Sequence, residues 1–304
     1  MPDTPRPSTR SIDGVAVQRV LRRLATAPSA PWLHTEVARR MAERLALIRL
    51  KPQRILEWGA FLGGGDALLA QACPRATRFV VEPTAALAER SRRARRPAWW
   101  SPRRWLDDTG AQVAEARGEI AGQVQLLWSN MSLHAEPDPP ALLARWQQAL
   151  AADGFVMFSC FGPDTVRRLV ALYARLGWPA PTIAFVDMHD LGDMLVHAGF
   201  ADPVMDQETV TLNWATPQAL LAELRTLGGN VAPQRFAGLR TPRWRARLER
   251  ELQSALSGPD GRLQLGFEIA YGHGFRTAPR IQGGDVAVSL DDMRAMVRQP
   301  RRTR

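Results

Sequence analysis

Residues 54–70 read RILEWGAFLGGGDALLA, and this stretch decides the fold. Four apolar-rich positions ending in Glu57 make a short strand, glycines make a turn, and DALLA opens a helix. A nucleotide-binding crossover needs that order, because glycine lets the chain turn sharply and lets a ligand approach the backbone at a helix start. Within the turn, Gly59 and Gly63 flank Phe61, a large aromatic where such loops usually keep a second glycine. The reading of function depends on where that ring goes.

Outward from this unit the same alternation continues. Residues 77–81 form a second apolar run that leads into Glu82, 25 positions after Glu57. A carboxylate at a second strand tip can accept hydrogen bonds from two vicinal ribose hydroxyls, and it can equally be a surface glutamate at a strand end. VQLLWS at 124–129 reads as a buried parallel strand, with Asn130 at its carboxyl end, where open sheets of this class place ligands. A helix over 140–150 and an Asp153-Gly154 turn lead into a strand over 155–161. Gly162-Pro163-Asp164-Thr165 then opens a helix over 166–176. A helix from about Asp187 to Gly199 follows, its aspartates serving as cap and dipole partners or as active-site groups. Next come a strand over 201–214, a mostly helical basic stretch over 219–256 and a last strand over 263–271. These elements predict an α/β fold: a Rossmann-like, doubly wound parallel sheet with a helical insertion at about 216–258 before the last strand.

Towards the amino end, Val17, Val20, Leu21 and Leu24, then Leu33, Val37, Met41, Leu45 and Ile48, recur at helical spacing, so two helices precede the first strand. The expected organisation is a disordered residue 1–14 segment, one domain over 15–285 and a basic tail over 286–304. No apolar run is long enough for a membrane span and the first residues lack a hydrophobic signal core, which predicts a cytoplasmic protein without membrane association. Cys73 and Cys160 have no metal-ligand spacing and read as core residues, so no metal site is expected.

The net charge is +10, and Lys51 is the single lysine. Such basicity suits an acidic protein partner as well as a nucleic acid. Residues 90–105, RSRRARRPAWWSPRRW, hold seven Arg and three Trp. They read as a solvated helix end followed by a loop with tucked-in tryptophans, or as a surface that tracks single-stranded nucleic acid, the less favoured of the two.

Several strings in order resemble the class I S-adenosylmethionine-dependent methyltransferases, and within them the malonyl-acyl-carrier-protein O-methyltransferase family of biotin synthesis. They are LWSN at 127–130, FSCFGPDT at 158–165, FVDMHDLGD at 185–193, AGFADPVMD at 198–206 and FEIAYGH at 267–273. The resemblance implies a seven-stranded sheet with an antiparallel last strand and S-adenosyl-L-methionine as cofactor. It implies a free carboxylate of a malonyl-type thioester on an acidic acyl carrier protein as the methyl acceptor. By the same resemblance Glu57, Gly59, Phe61, Gly63, Glu82 and Asn130 fall at cofactor positions. A carboxylate is already ionised at neutral pH, so no general base is required; Asn130, His189 and Arg240 are the substrate-orienting candidates, with Arg235 and Arg243 as further cations for the malonyl group.

Departures from the family pattern fall on the cofactor side. Phe61 replaces a loop glycine and its ring is expected to point into cofactor space. Asp107 and Asp108 are the nearest acids to a missing adenine-contact string, Pro28-Ser29-Ala30-Pro31 stands in place of a tyrosine, and Ala135 in place of a tryptophan. The alternative these changes raise is a methyltransferase-like binding or assembly protein that has lost its cofactor.

Overall fold

A computed structural model of the chain describes residues 12–95, 113–115 and 124–276. Seven strands form one sheet: β1 (Arg54–Trp58), β2 (Thr77–Glu82), β3 (Val113–Glu115), β4 (Val124–Ser129), β5 (Leu150–Phe161), β6 (Phe200–Trp214) and β7 (Leu263–Arg276). Their order is β3-β2-β1-β4-β5-β7-β6, with β7 antiparallel to both neighbours. The order reverses between β1 and β4, and the crevice outside the carboxyl ends at such a reversal is where this class of sheet binds ligands.

Side chains alternate along a strand, so neighbouring apolar residues supply opposite faces. Ile55, Leu126 and Phe155 join one core; Leu56, Leu127 and Val156 join the other. The first is covered by α2 (Trp32–Leu45), α7 (Arg167–Arg175), α9 (Pro217–Leu227) and α10 (Pro242–Leu256). The second is covered by α6 (Pro139–Ala149) and α8 (Met188–His197). In α2 the expected stripe of Leu33, Val37, Met41 and Leu45 is buried. Three more helices, α3 (Ala60–Gly63), α4 (Asp66–Ala72) and α5 (Ala85–Arg95), connect the first strands, and α1 (Gly14–Leu24) precedes them all.

Several expected boundaries move. β5 begins at Leu150 rather than Phe155 because Leu150 already pairs with Val124; the left-handed Asp153 (φ 60°) lies in the irregularity before the pairing resumes at Phe155. β7 continues to Arg276; Gly272 fits against Phe158, where a side chain would collide, and Gly274 packs closely on Phe200. The stretch over 219–256 separates into α9 and α10, between β6 and β7. Most of the 1–14 segment, the tail over 286–304, Asp107 and Asp108, and the part of 90–105 after Arg95 lie outside the described residues. Among the described residues no helix is long and apolar enough to cross a membrane.

Candidate functional site

The carboxyl ends of β1, β2 and β4 border a cavity of about 630 Å³. Trp58, Gly59, Glu82 and Asn130 line one wall, with His34 of α2 beside them. Leu21 and Leu24 of α1, Leu221 and Leu224 of α9, and Phe267 of β7 line another.

The polar wall is built around the loop after β1. Gly59 is left-handed (φ 71°), a conformation that costs other residues about 1–2 kcal/mol, and it rolls the chain into the single turn of α3. A Cβ on Gly63 would lie 3.2 Å from the Asn130 carbonyl oxygen, so glycine there allows the loop to pack on the tip of β4. Inside this turn the Phe61 backbone N–H donates to Glu82 Oε1 at 2.8 Å. The Phe61 ring lies 5.1 Å from the Arg90 guanidinium of α5 and is not part of the cavity wall. The expectation that it fills cofactor space is therefore corrected: as a helical residue it leaves the loop towards α5.

Glu82 is buried, and Oε1 also accepts from Ser91 Oγ at 2.6 Å. Burial pushes its pKa up, against the pull of the Ser91 and Phe61 hydrogen bonds. Its other oxygen, Oε2, is buried with no hydrogen-bond partner among the described residues. Only one oxygen, not two, is thus left for a ligand.

Residues 32–202 match a family model described as a methyltransferase domain. The malonyl-[acyl-carrier protein] O-methyltransferase of Halorhodospira halophila is 36% identical over 242 residues, covering 79% of this chain and 80% of that protein. The protein of the same name from Gallionella capsiferriformans is 34% identical over 284 residues, 91% of this chain and 96% of its own length. The chain belongs to the malonyl-[acyl-carrier protein] O-methyltransferase family. Its fold is similar to that of the YcgJ protein from Bacillus subtilis, with a TM-score of 0.53 at 11% identity over 80% of this chain and 99% of that one.

The cofactor implied by this family is S-adenosylmethionine, and the cavity residues fit it. Glu82, whose Oε2 is buried without a partner among the described residues, borders the cavity together with a left-handed glycine that lets a ligand approach the backbone. With Phe61 outside the wall, its ring gives no support to a lost cofactor site.

The other expected site residues are placed as follows. Asn130 borders the cavity, but its side chain is engaged inward. Nδ2 donates to the carbonyls of His34 (2.7 Å) and Gly63 (2.5 Å), and Oδ1 accepts from Ser159 Oγ at 2.6 Å. Glu57 does not line the cavity. It is buried beneath the loop, where Arg95 Nη2 bonds both of its oxygens at 3.1 Å, Arg78 lies 3.6 Å away, and Asp66 bridges the two arginines. Burial raises its pKa against the attraction of Arg95. His189 is 81% exposed at the start of α8, its ring bonded to the capping Asp187. Arg240 stacks on Phe236 and Trp244, at 3.7 and 4.2 Å, and Arg235 pairs with Asp13 at 2.7 Å. Neither His189 nor Arg240, Arg235 or Arg243 borders the cavity. Among the described residues, the arginines that do are Arg145 and Arg225.

The basic segment from Arg90 is split where it is described: Arg90 and Arg95 turn inward, whereas Arg92 and Arg93 lie exposed on the outer face of α5. Arg90 reaches the Ala27 and Pro28 carbonyls, Arg93 pairs with Glu89, and Arg95 with Glu57. Sequence reasoning passed over His34, which sits inside an apolar stripe, and over Arg145 and Arg225, which sit on helices with no motif. A histidine between Leu33 and Val37 was the one visible signal.

Proposed function

We propose that the protein transfers a methyl group from S-adenosylmethionine to the free carboxylate of a malonyl thioester carried by an acyl carrier protein. The observation that carries this reading is the open cavity beside Gly59 with Glu82 Oε2 buried and unpartnered in its wall. The names of the relatives supply the acceptor class. When bound, S-adenosylmethionine supplies an electrophilic methyl group, which an ionised carboxylate accepts without a general base.

The chain's own contribution is positioning and exclusion of water. Glu82 Oε2 accepts from the ribose, while Gly59 lets the backbone approach the cofactor without a side chain and Gly63 seats the loop on the tip of β4. The aliphatic wall from α1 and α9 shields the acceptor thioester. Arg145 and Arg225, both exposed at the cavity border, attract the malonyl carboxylate and the acidic carrier. Phe61 and Glu57 are then support for the loop rather than contacts to the cofactor.

The test is to incubate the full chain with malonyl-carrier protein and S-adenosylmethionine and follow the carrier by mass spectrometry. A gain of one methyl group, reversed by mild ester hydrolysis, supports the reading. An unmodified carrier, with the chain folded and both substrates in excess, contradicts it.

A further inference from the structure

The cavity wall holds a second buried acceptor besides Glu82. His34 is 3% exposed and its Nδ1 lies 2.9 Å from the Leu62 carbonyl oxygen. A carbonyl oxygen only accepts, so Nδ1 carries the proton and the neutral ring presents a lone pair at Nε2. Nε2 is buried, has no hydrogen-bond partner among the described residues, and belongs to a ring that borders the cavity. Burial keeps the imidazole neutral, with its pKa lowered to about 4.

The backbone fixes how the two acceptors relate. Glu82 is bonded to the N–H of Phe61 and His34 to the C=O of the next residue, Leu62. Both are thus tied to consecutive residues of one turn, and each side chain borders the cavity while keeping its second heteroatom buried without a partner among the described residues. The position of His34 is held from two sides. Its own carbonyl accepts from Asn130 Nδ2, and α2 is tied to the far edge of the sheet where Arg40 pairs with Glu208, itself bonded to the Tyr271 hydroxyl at 2.6 Å. A ligand lying along the turn therefore passes both side chains. The carboxylate suits hydroxyl donors, and the lone pair of the neutral imidazole suits any N–H or O–H donor, an ammonium among them.

We propose that His34 Nε2 accepts a hydrogen bond from the primary ammonium of the methyl donor's amino-acid end, making His34 a positioning residue for the donor. The proposal rests on the donor reading given above. An ammonium has three N–H donors and no lone pair, which suits a neutral imidazole acceptor in a buried wall, whereas a carboxylate would be repelled by that lone pair. The phenyl ring of Phe161, 6.4 Å from the imidazole, closes the side towards the apolar wall.

Calorimetric titration of the full chain with S-adenosylhomocysteine and with 5′-methylthioadenosine, which lacks the amino-acid end, tests this. The variants are His34→Leu and His34→Met, which have no nitrogen, and His34→Gln, which keeps an acceptor. Loss of a hydrogen bond from a charged donor is expected to weaken S-adenosylhomocysteine about tenfold or more in the Leu and Met variants. Binding of 5′-methylthioadenosine stays at the wild-type value in the same proteins, which also shows that the site is folded, and the Gln variant stays within about threefold for both ligands. Unchanged affinity for S-adenosylhomocysteine in the Leu and Met variants overturns the proposal, as does an equal loss for both ligands, which a merely structural histidine would give. Absence of binding of either ligand to the wild-type chain would instead overturn the donor reading, and the assignment of His34 with it.

Discussion

The two walls of the cavity differ in how they are held. On the polar wall, Asn130, Glu82 and His34 are fixed by hydrogen bonds to backbone groups of the loop over 59–63, and these bonds use up most of their polar atoms. Two acceptors remain, Glu82 Oε2 and His34 Nε2. The apolar wall is held by packing of Ala16 and Val17 of α1 with Val231, just beyond α9, and is pinned where Arg23 donates to the carbonyls of Arg225 and Gly228 at 2.8 and 2.6 Å. The first wall thus presents direction at a few atoms, and the second presents shape. Changes to single polar atoms on one should therefore act on the donor, and changes of volume on the other should act on the acceptor.

The largest expected effect concerns the burial of His34. Its pKa is about 4 in the folded chain and about 6.5 when unfolded, so the unfolded chain holds more protons between those values. Stability is then full above pH 6.5, falls as pH drops through the window and levels off near pH 4, losing about 3 kcal/mol through this group. The difference in urea-denaturation free energy between wild type and His34→Gln, measured across pH 7 to 4 (about the window of one histidine), isolates it. A constant difference would mean that His34 is not buried as a neutral ring.

Next in size, Glu82→Gln should weaken S-adenosylhomocysteine by about 10- to 100-fold, through loss of a charged acceptor. Calorimetry measures it, and a change under twofold would remove Glu82 from the donor site. Filling the other wall with Leu224→Trp should raise KM for the malonyl carrier about tenfold while leaving the donor Kd within about twofold, since packing changes are local. Equal effects on both substrates would show that the two walls are not separate. The smallest effect is expected for Phe61→Gly. The ring lies against Arg90 outside the cavity, so donor affinity should change less than about threefold, with stability down by about 1 kcal/mol through the lost cation–π contact and a glycine inside α3. A large gain in affinity would mean that the ring does block the site.

Much of the fold was legible because it is local. The strand and turn at 54–70, the apolar runs and the α2 stripe each carry their period in the sequence, and the strings at 158–165 and 267–273 tied them to a family. The site was legible only in part. Gly59 and Glu82, which border the cavity, stood out because loop conformation and a strand-tip carboxylate have sequence signatures. Phe61 was read as an obstacle because the sequence shows its size but not that the turn closes into a helix and aims the ring at Arg90. Glu57 was read as a cofactor contact because its burial under Arg95 and Arg78 depends on side chains 21 and 38 positions away. His34, Arg145 and Arg225 converge on one cavity from three separate helices, and no spacing along the chain records that.

The most direct measurement is an equilibrium titration of the unmodified full chain with S-adenosylhomocysteine. An open donor site with Phe61 turned away predicts saturable binding of one molecule per chain with a Kd on the order of micromolar, as expected of cofactor-sized ligands with a few directed polar contacts. No heat and no thermal stabilisation at millimolar ligand would contradict it.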